Sequence, residues 1–312
     1  MKNKTELNAN FLLSICIPTF NRSSDLKLCI DSIVYQKDFF LNNNVEIIVS
    51  DNLSNDNTKM LCKEYELRFG SKFKYSRNKV NIGAAKNLEK SLSLCNGQYL
   101  KLSNDTNIFI EGSISYILNS LRDNEFSNNY IYFTNNLFKN ESKIIVNNLD
   151  EFVKKTSFYS TWILYYGVYK KQFIDSKSFD KVGKLNLIND SLYENIINSN
   201  KTIIYNEPII KLIKPVIKKG NYNFFEVFVT NYLSSLKYYV DHGYIKKKTL
   251  FIEKHKLMVN HILPFSYSIF ITKKADFKIE GALGIILKNF KYHPVMIYGL
   301  IIFILKKIFK IS

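Results

Sequence analysis

Residues 11–22 read FLLSICIPTFNR. The near-continuous apolar run over 11–17 is closed by Pro18, the pattern of a strand buried on both faces in a helix-covered parallel sheet. Ser23 or Ser24 then supplies a helix cap. DLKLCIDSIVYQ carries Leu26, Cys29, Ile30, Ile33 and Val34 at helical spacing. The same rhythm repeats. VEIIVSD, residues 45–51, predicts a second buried strand, NDNTKMLCKEYELRF a helix, residues 73–75 a short strand, 84–94 a helix and 98–102 a further strand. Strands alternating with helices in this way predict an α/β fold, a doubly wound and mostly parallel sheet.

Sheets of that kind bind ligands outside the carboxyl ends of their strands. Those ends read Pro18-Thr19-Phe20-Asn21-Arg22, Ser50-Asp51-Asn52 and Ser103-Asn104-Asp105. All three are polar, and two carry a carboxylate. No G-x-G-x-x-G follows the first strand and no G-x-x-x-x-G-K occurs, so neither a dinucleotide fingerprint nor a P-loop is present.

The chain has 312 residues, enough for one large domain or a domain with an appendage. With 46% hydrophobic and 15% aromatic residues it affords a sizeable core. A formal charge of +17 calls for an anionic partner: nucleic acid, a membrane surface or phosphorylated small molecules. The lysines are spread along the chain and no RNP or zinc-finger motif occurs, so nucleic acid is not the expected partner. Cys16, Cys29, Cys62 and Cys95 lie singly in apolar segments, which predicts buried free thiols in a reducing compartment. MKNKTELNAN has no apolar signal core, and export is not expected. The four histidines lie in the C-terminal part without metal-ligand spacing and are expected at the surface or an interface.

Beyond the first 110 residues the pattern loosens. NYIYFTNNLF and KIIVNN predict antiparallel strands, SFYSTWILYYGVYKKQFI is rich in aromatics, NDSLYENIINSN predicts a capped helix, and KTIIYNEPIIKLI a strand broken by Pro208. After about residue 215 the chain becomes helical, aromatic and lysine-rich. The apolar run 295–305 is shorter than the roughly 20 residues a membrane span needs. It has two readings: a buried terminal helix, or an interfacial helix with Lys306, Lys307 and Lys310 on anionic headgroups. The organisation expected is therefore a catalytic domain over 1–214 and a helical, basic, amphipathic region over 215–312.

SICIPTFNR, VEIIVSDNLSNDNT, NKVNIGAAKNL and GQYLKLSND, in this order and spacing, resemble family 2 glycosyltransferases of the GT-A fold. The likeness covers roughly residues 12–110 and more weakly the chain to about 210. It implies that Pro18, Thr19, Asn21 and Arg22 line the base and ribose of a nucleotide-sugar donor, and that Asp51 contacts the base edge or ribose. A carboxylate accepts an imide N–H, and an arginine meets phosphate. Asp51 equally suits a turn or helix cap. Asn81, Gly83 and Asn87 resemble the loop before the donor-facing helix; alternatively Gly83 permits a tight turn and Asn81 caps the helix.

The family's metal motif reads Asp-x-Asp, where this chain has Ser103-Asn104-Asp105. The resemblance implies Mn²⁺ or Mg²⁺ on Asp105, with Asn104 orienting a sugar hydroxyl or the cation. Hard cations complete their shells with phosphate and water, so the cation is expected to bind weakly until a diphosphate arrives. In an alternative, lysines or Arg22 compensate the charge. Asp190, the distance beyond the metal motif at which the family keeps its base, is expected to take the acceptor proton; a helix cap is its other reading, and Glu194 is the second choice for the base. Tyr159, Ser160 and Trp162 fall where an acceptor-facing wall is expected.

The function implied is inverting transfer of a sugar from a nucleotide-diphosphate donor to a glycan or lipid-linked acceptor in bacterial surface-polysaccharide synthesis. It is expected on the inner face of the plasma membrane, held at the anionic surface by the C-terminal region. Two other functions fit the same residues: transfer of a polyol phosphate from a cytidine donor, and a non-catalytic membrane scaffold.

Overall fold

The computed structural model describes residues 11–41, 44–124, 127–175, 189–212, 223–268, 278–291 and 293–295. The run over 295–305 and its lysines therefore fall outside the described residues except for Val295. The chain divides into two compact units: Met1–Ile145 with Ile163–Asp180 and Glu194–Ile217, and Val146–Trp162 with Lys181–Tyr193 and Lys218–Ser312.

The first unit is built on a five-stranded sheet. In chain order its elements begin β1 (Leu13–Thr19), α1 (Ser23–Val34), α2 (Lys37–Leu41), β2 (Val45–Asp51), α3 (Thr58–Phe69), β3 (Phe73–Arg77), α4 (Ala84–Ser93), β4 (Tyr99–Leu102), β5 (Asn107–Phe109) and α5 (Ser113–Arg122). They continue with β6 (Tyr130–Phe133), β7 (Lys143–Val146), α6 (Leu149–Thr156), β8 (Gly167–Tyr169), α7 (Lys170–Asp175), β9 (Thr202–Tyr205) and β10 (Ile210–Leu212), of which α6 belongs to the second unit. The sheet order is β3-β2-β1-β4-β8. β1 pairs in parallel with β2 from Leu13↔Val45 to Thr19↔Asp51 and with β4 from Leu13↔Tyr99 to Cys16↔Leu102. β3 joins β2 in parallel, and β8 closes the far edge antiparallel to β4.

Every residue of β2 is buried, as are all but Pro18 in β1, which is why both centre on apolar runs. Polar exceptions such as Ser14 and Glu46 near the amino ends, and Ser50 and Asp51 at the carboxyl end of β2, are hydrogen-bonded. α1 lays Leu26, Cys29, Ile30, Ile33 and Val34 onto the sheet, and Ile114, Ile117, Leu118 and Leu121 of α5 join the same core. β1, β2 and β3 progress in one direction and β4 returns to the other side of β1. The strand order thus reverses between β1 and β4, and the crevice of such a sheet opens at that reversal.

At the opposite, amino ends, the buried Glu46 carboxylate accepts from Ser14 Oγ at 2.5 Å, from the Asn96 N–H at 2.5 Å and from the Gly97 N–H at 3.1 Å. A Cβ on Gly97 would lie 2.8 Å from the backbone nitrogen of Ser14, so only glycine fits. Lys101, fully buried on β4, donates to the carbonyls of Leu164, Tyr166 and Leu102, the last two at 3.3 Å.

NYIYFTNNLF and KIIVNN do form β6 and β7, but they do not pair with each other. β9 lies between them and runs parallel to β6. Pro208 separates β9 from β10, which pairs antiparallel with β5.

The second unit is helical among its described residues. Asn148 caps α6 by accepting from the Glu151 N–H at 3.0 Å, and Glu151 accepts in return from Asn148 Nδ2 at 3.1 Å. Helices Tyr232–Asp241 and Lys247–Leu257 each adjoin a π-helical segment, Glu226–Asn231 and Met258–Ile262, and a helix spans Ala282–Phe290. Glu253, 1% exposed, accepts from Ser157 Oγ at 2.6 Å and pairs with Lys256 at 3.1 Å. Burial pushes its carboxyl above the usual range. No described helix is long and apolar enough to cross a membrane.

Candidate functional site

The three polar strand ends converge in the first unit. At the reversal point, Thr19 Oγ1 donates to Asp105 Oδ2 at 3.0 Å, and Arg22 Nη1 lies 3.1 Å from Oδ1 and 3.4 Å from Oδ2. Asp105 is 2% exposed. The turn that carries it is fixed by its neighbours: the Ser103 N–H donates to Cys16 O at 2.9 Å, and Asn107 Nδ2 to Ser103 Oγ at 3.2 Å. Asn104 contributes its carbonyl, which accepts from Ser103 Oγ and from the Cys29 thiol.

The loops after β1 and β2 are sewn together. Asn21 takes a left-handed φ of 53°, a conformation asparagine tolerates. Its N–H donates to Ser54 Oγ at 2.8 Å, and its Oδ1 accepts from the Asn55 N–H at 2.7 Å. The expected serine cap of α1 is not present. Arg22 occupies the N-cap position without a capping side-chain bond, and Asp56, from the neighbouring loop, accepts the Ser23 N–H at 2.8 Å. Burial pushes the Asp56 carboxyl up, but hydrogen bonds from Thr58 and Ser23 outweigh it and hold it below the usual range.

Asp51 is fully buried at the end of β2. Its Oδ1 accepts from the Ser54 N–H at 2.8 Å, and its Oδ2 accepts from Tyr75 Oη at 2.7 Å and faces Arg77 Nε at 3.5 Å. Burial and this carboxylate push the Tyr75 phenol far above its usual range. Beside them lies an open pocket of about 460 Å³ lined by Leu53, Lys59, Lys63, Tyr75, Arg77, Asn78 and Lys79. Four cations and a tyrosine on one rim suit an anionic, planar ligand. Phe20, 41% exposed at the end of β1, presents a phenyl ring to solvent.

Asn81, Gly83 and Asn87 belong to an amide network. Asn52 Nδ2 donates to Asn81 Oδ1 at 2.7 Å, and Asn52 Oδ1 accepts from the Ile82 N–H and from Asn78 Nδ2. Asn87 Nδ2 donates to Ser50 O, and its Oδ1 accepts from Ser50 Oγ, both at 2.8 Å. Gly83, at φ 83°, makes the turn into α4, where it is the N-cap residue. Tyr75, Arg77 and Asn78 carry no sequence signal of their own; only their place on and just after β3 distinguishes them.

In the second unit, Asp190 lies in the first turn of helix Asn189–Ile197, 5% exposed. Its carboxylate accepts from Ser235 Oγ, and its carbonyl accepts from Tyr239 Oη at 3.2 Å. Ser160 is buried, donates to Ser157 O at 2.9 Å and meets Tyr193 Oη at 2.8 Å. Trp162 is half-buried, edge-on to Tyr159 with ring centroids 5.2 Å apart. Two of the histidines expected at the surface or an interface are buried. His261 packs on Phe158 at 4.3 Å, where burial lowers its pKa to about 4, and His293 packs on Phe251, also at 4.3 Å. An aromatic pocket accepts the neutral imidazole as it would another ring.

Among the described residues, no group of three or more His, Cys, Asp or Glu forms a metal cage. Asp105 nevertheless stands near a second oxygen donor in sequence. Asn107 Oδ1, on the same turn, is buried and has no hydrogen-bond donor. A carboxylate with amide oxygens fits a hard divalent cation that draws its remaining ligands from phosphate and water.

The chain shares 40% identity over 88 residues with the abequosyltransferase RfbV of Salmonella typhimurium, 28% of this chain and 26% of that protein. It is 28% identical over 174 residues to GalNAc(5)-diNAcBac-PP-undecaprenol beta-1,3-glucosyltransferase of Campylobacter jejuni, 54% of this chain and 55% of that one. The matches thus span about a quarter and about half of these relatives' lengths. Among solved structures, S. aureus TarS 1–349 in complex with UDP-GlcNAc superposes with a TM-score of 0.62 at 14% identity, over 90% of this chain and 81% of that one. The mannosyltransferase PcManGT of Pyrobaculum calidifontis, in complex with GDP-Man and Mn²⁺, gives a TM-score of 0.53 at 11% identity, over 97% and 88%. These likenesses agree with the strand order and mark the fold as GT-A. The family model Glycosyl transferase family 2 matches residues 14–197, more than half of the chain, and to that family this protein belongs.

Proposed function

We propose that the protein transfers a sugar, with inversion at the anomeric carbon, from a nucleoside-diphosphate donor to a glycan or lipid-linked acceptor in bacterial surface-polysaccharide synthesis. The observation that carries this reading is Asp105, buried at the strand-order reversal and gripped by Thr19 and Arg22 from the adjacent strand end. In this reading the nucleotide lies across the ends of β1 and β2, with Phe20 against the base, Asp51 near its polar edge and the Lys59, Lys63 and Arg77 rim drawing in the anion. Pro18 and Asn21 shape that loop, and Asn81, Gly83 and Asn87 hold the α4 entrance behind it.

Asp105, with the amide oxygens of Asn104 and Asn107 nearby in sequence, would hold Mn²⁺ or Mg²⁺. Such an ion neutralises charge that builds on the departing diphosphate. Asp190 takes the acceptor hydroxyl's proton, oriented by Ser235, and Trp162 offers a face to the acceptor's C–H surface. RfbV and the C. jejuni enzyme, one named for transfer of a sugar and the other for an undecaprenol-linked substrate, support the acceptor class. The exposed Leu283 and Leu287 beside Lys288 support peripheral attachment to an anionic membrane through the 215–312 region. The deciding experiment offers purified protein a panel of UDP-, GDP-, CDP- and dTDP-sugars with undecaprenol-linked acceptors, with and without Mn²⁺. Sugar transfer lost in Asp105→Ala supports the reading; absence of both nucleotide binding and transfer for every donor refutes it.

A further inference from the structure

Arg22 occupies the ground a cation on Asp105 would need. Its Nη1 alone faces both carboxylate oxygens, at 3.1 and 3.4 Å, while Thr19 takes another position on Oδ2. The Asp105 side chain is 3% exposed, and a carboxylate so buried requires a counter-charge. Arg22 supplies it, and the pair is neutral. A divalent ion approaching the same carboxylate meets a positive charge already in place, and the repulsion is strong where water is scarce.

The guanidinium's seat is also incomplete. Its Nε is buried with no acceptor, and only one of its nitrogens engages the carboxylate. Arginine carries five donors in a planar fork that matches phosphate oxygens. A diphosphate therefore satisfies more of them than one carboxylate does. The side chain retains 20% of its exposure, so solvent-side ligands can reach it.

From this geometry we infer that Arg22 is the resident counter-cation of Asp105 in the nucleotide-free protein, and that a nucleoside diphosphate exchanges it, drawing the guanidinium onto its own oxygens and releasing the carboxylate to a divalent cation. The inference rests on the donor-site reading above. It adds an order of preference: the cation binds firmly with or after the nucleotide and only weakly alone. The two ligands are then positively coupled, and the coupling passes through one side chain.

Mn²⁺ binding to the full chain, followed by the electron paramagnetic resonance signal of free Mn²⁺, tests this without nucleotide and with UDP, GDP, CDP or dTDP in turn. Wild type should bind Mn²⁺ about tenfold more tightly once its diphosphate is present, and Arg22→Gln should reach about that affinity with no nucleotide. Arg22→Lys, which keeps the charge, should stay within about threefold of wild type. An Arg22→Gln protein that binds Mn²⁺ no more tightly than wild type without nucleotide overturns the inference. A second readout needs no variant: the ¹⁵N resonances of the Arg22 guanidinium should shift on adding metal-free diphosphate, and an unmoved resonance in a nucleotide-saturated sample overturns the exchange. If no diphosphate binds while Arg22→Gln still gains Mn²⁺, the donor reading fails and the assignment of Arg22 to the cation's seat stands.

Discussion

The hydroxyl of Tyr75 donates to Oδ2 of Asp51 at 2.7 Å, and the same oxygen faces Nε of Arg77 at 3.5 Å. Asp51 is thus the shared acceptor for β3 and, through the Ser54 N–H, for its own loop. Asp51→Ala leaves all three donors without it and should cost about 3 kcal/mol in urea denaturation, whereas Tyr75→Phe removes one bond and should cost about 1 kcal/mol. Equal losses would mean that the phenol, not the carboxylate, organises this end of the sheet.

Lys101 makes stability depend on pH in the alkaline range. Burial lowers its pKa to about 7, while the unfolded chain holds that proton to about 10.4. Between these values the unfolded state binds more protons, so stability should rise from pH 7 towards 10. Thermal denaturation at several pH values should show that rise in wild type and a flatter profile in Lys101→Met. A profile unchanged by the substitution would place the titration elsewhere.

The acid side has a slope of the same sign, in a lower window. Burial lowers His261 to about 4, against about 6.5 when unfolded. Its stabilising contribution is complete above pH 6.5 and is lost as pH falls to 4, by about 2–3 kcal/mol. His293, also lowered by burial, acts in the same sense. Asp56, held below the usual carboxylate range, loses its contribution only at lower pH. Chemical denaturation at pH 7 and pH 4.5 should show a smaller difference in His261→Phe than in wild type.

Ser160 and Trp162, neighbours on the expected acceptor wall, should separate. Ser160 is buried between Ser157 O and Tyr193 Oη, so Ser160→Ala should cost about 1–2 kcal/mol of stability. Trp162→Ala should leave the melting temperature nearly unchanged and lower kcat/KM for the acceptor by about tenfold. A large stability loss from Trp162→Ala would assign the indole to packing.

The parts legible in sequence are those whose burial is complete. β1 and β2 lie between helix layers, so Leu13–Ile17 is apolar but for Ser14, and Ile47–Val49 is wholly apolar between the buried Glu46 and Asp51, and the runs announce themselves. β5 and β8 are three residues each, too short for a period to register, and β8 lies in an aromatic segment whose side chains pack as readily in turns. β6 and β7 were legible as strands but not as partners, because β9, some sixty residues later, comes between them. At the site, Asp51 and Asp105 stood out as carboxylates at strand ends. The acceptor role of Asp51 towards Tyr75 and the Arg22–Asp105 pair join residues 24 and 83 positions apart, and no local pattern records such a pairing.

Glu46, Ser14, Asn96 and Gly97 tie the strands together at the end away from the ligand crevice. The amino ends of β1, β2 and β4 are therefore anchored independently of the loops at their carboxyl ends. Under the proposed donor placement, substitutions at Phe20, Leu53 or Lys79 can change nucleotide preference over evolutionary time while this amino-end anchor stays the same.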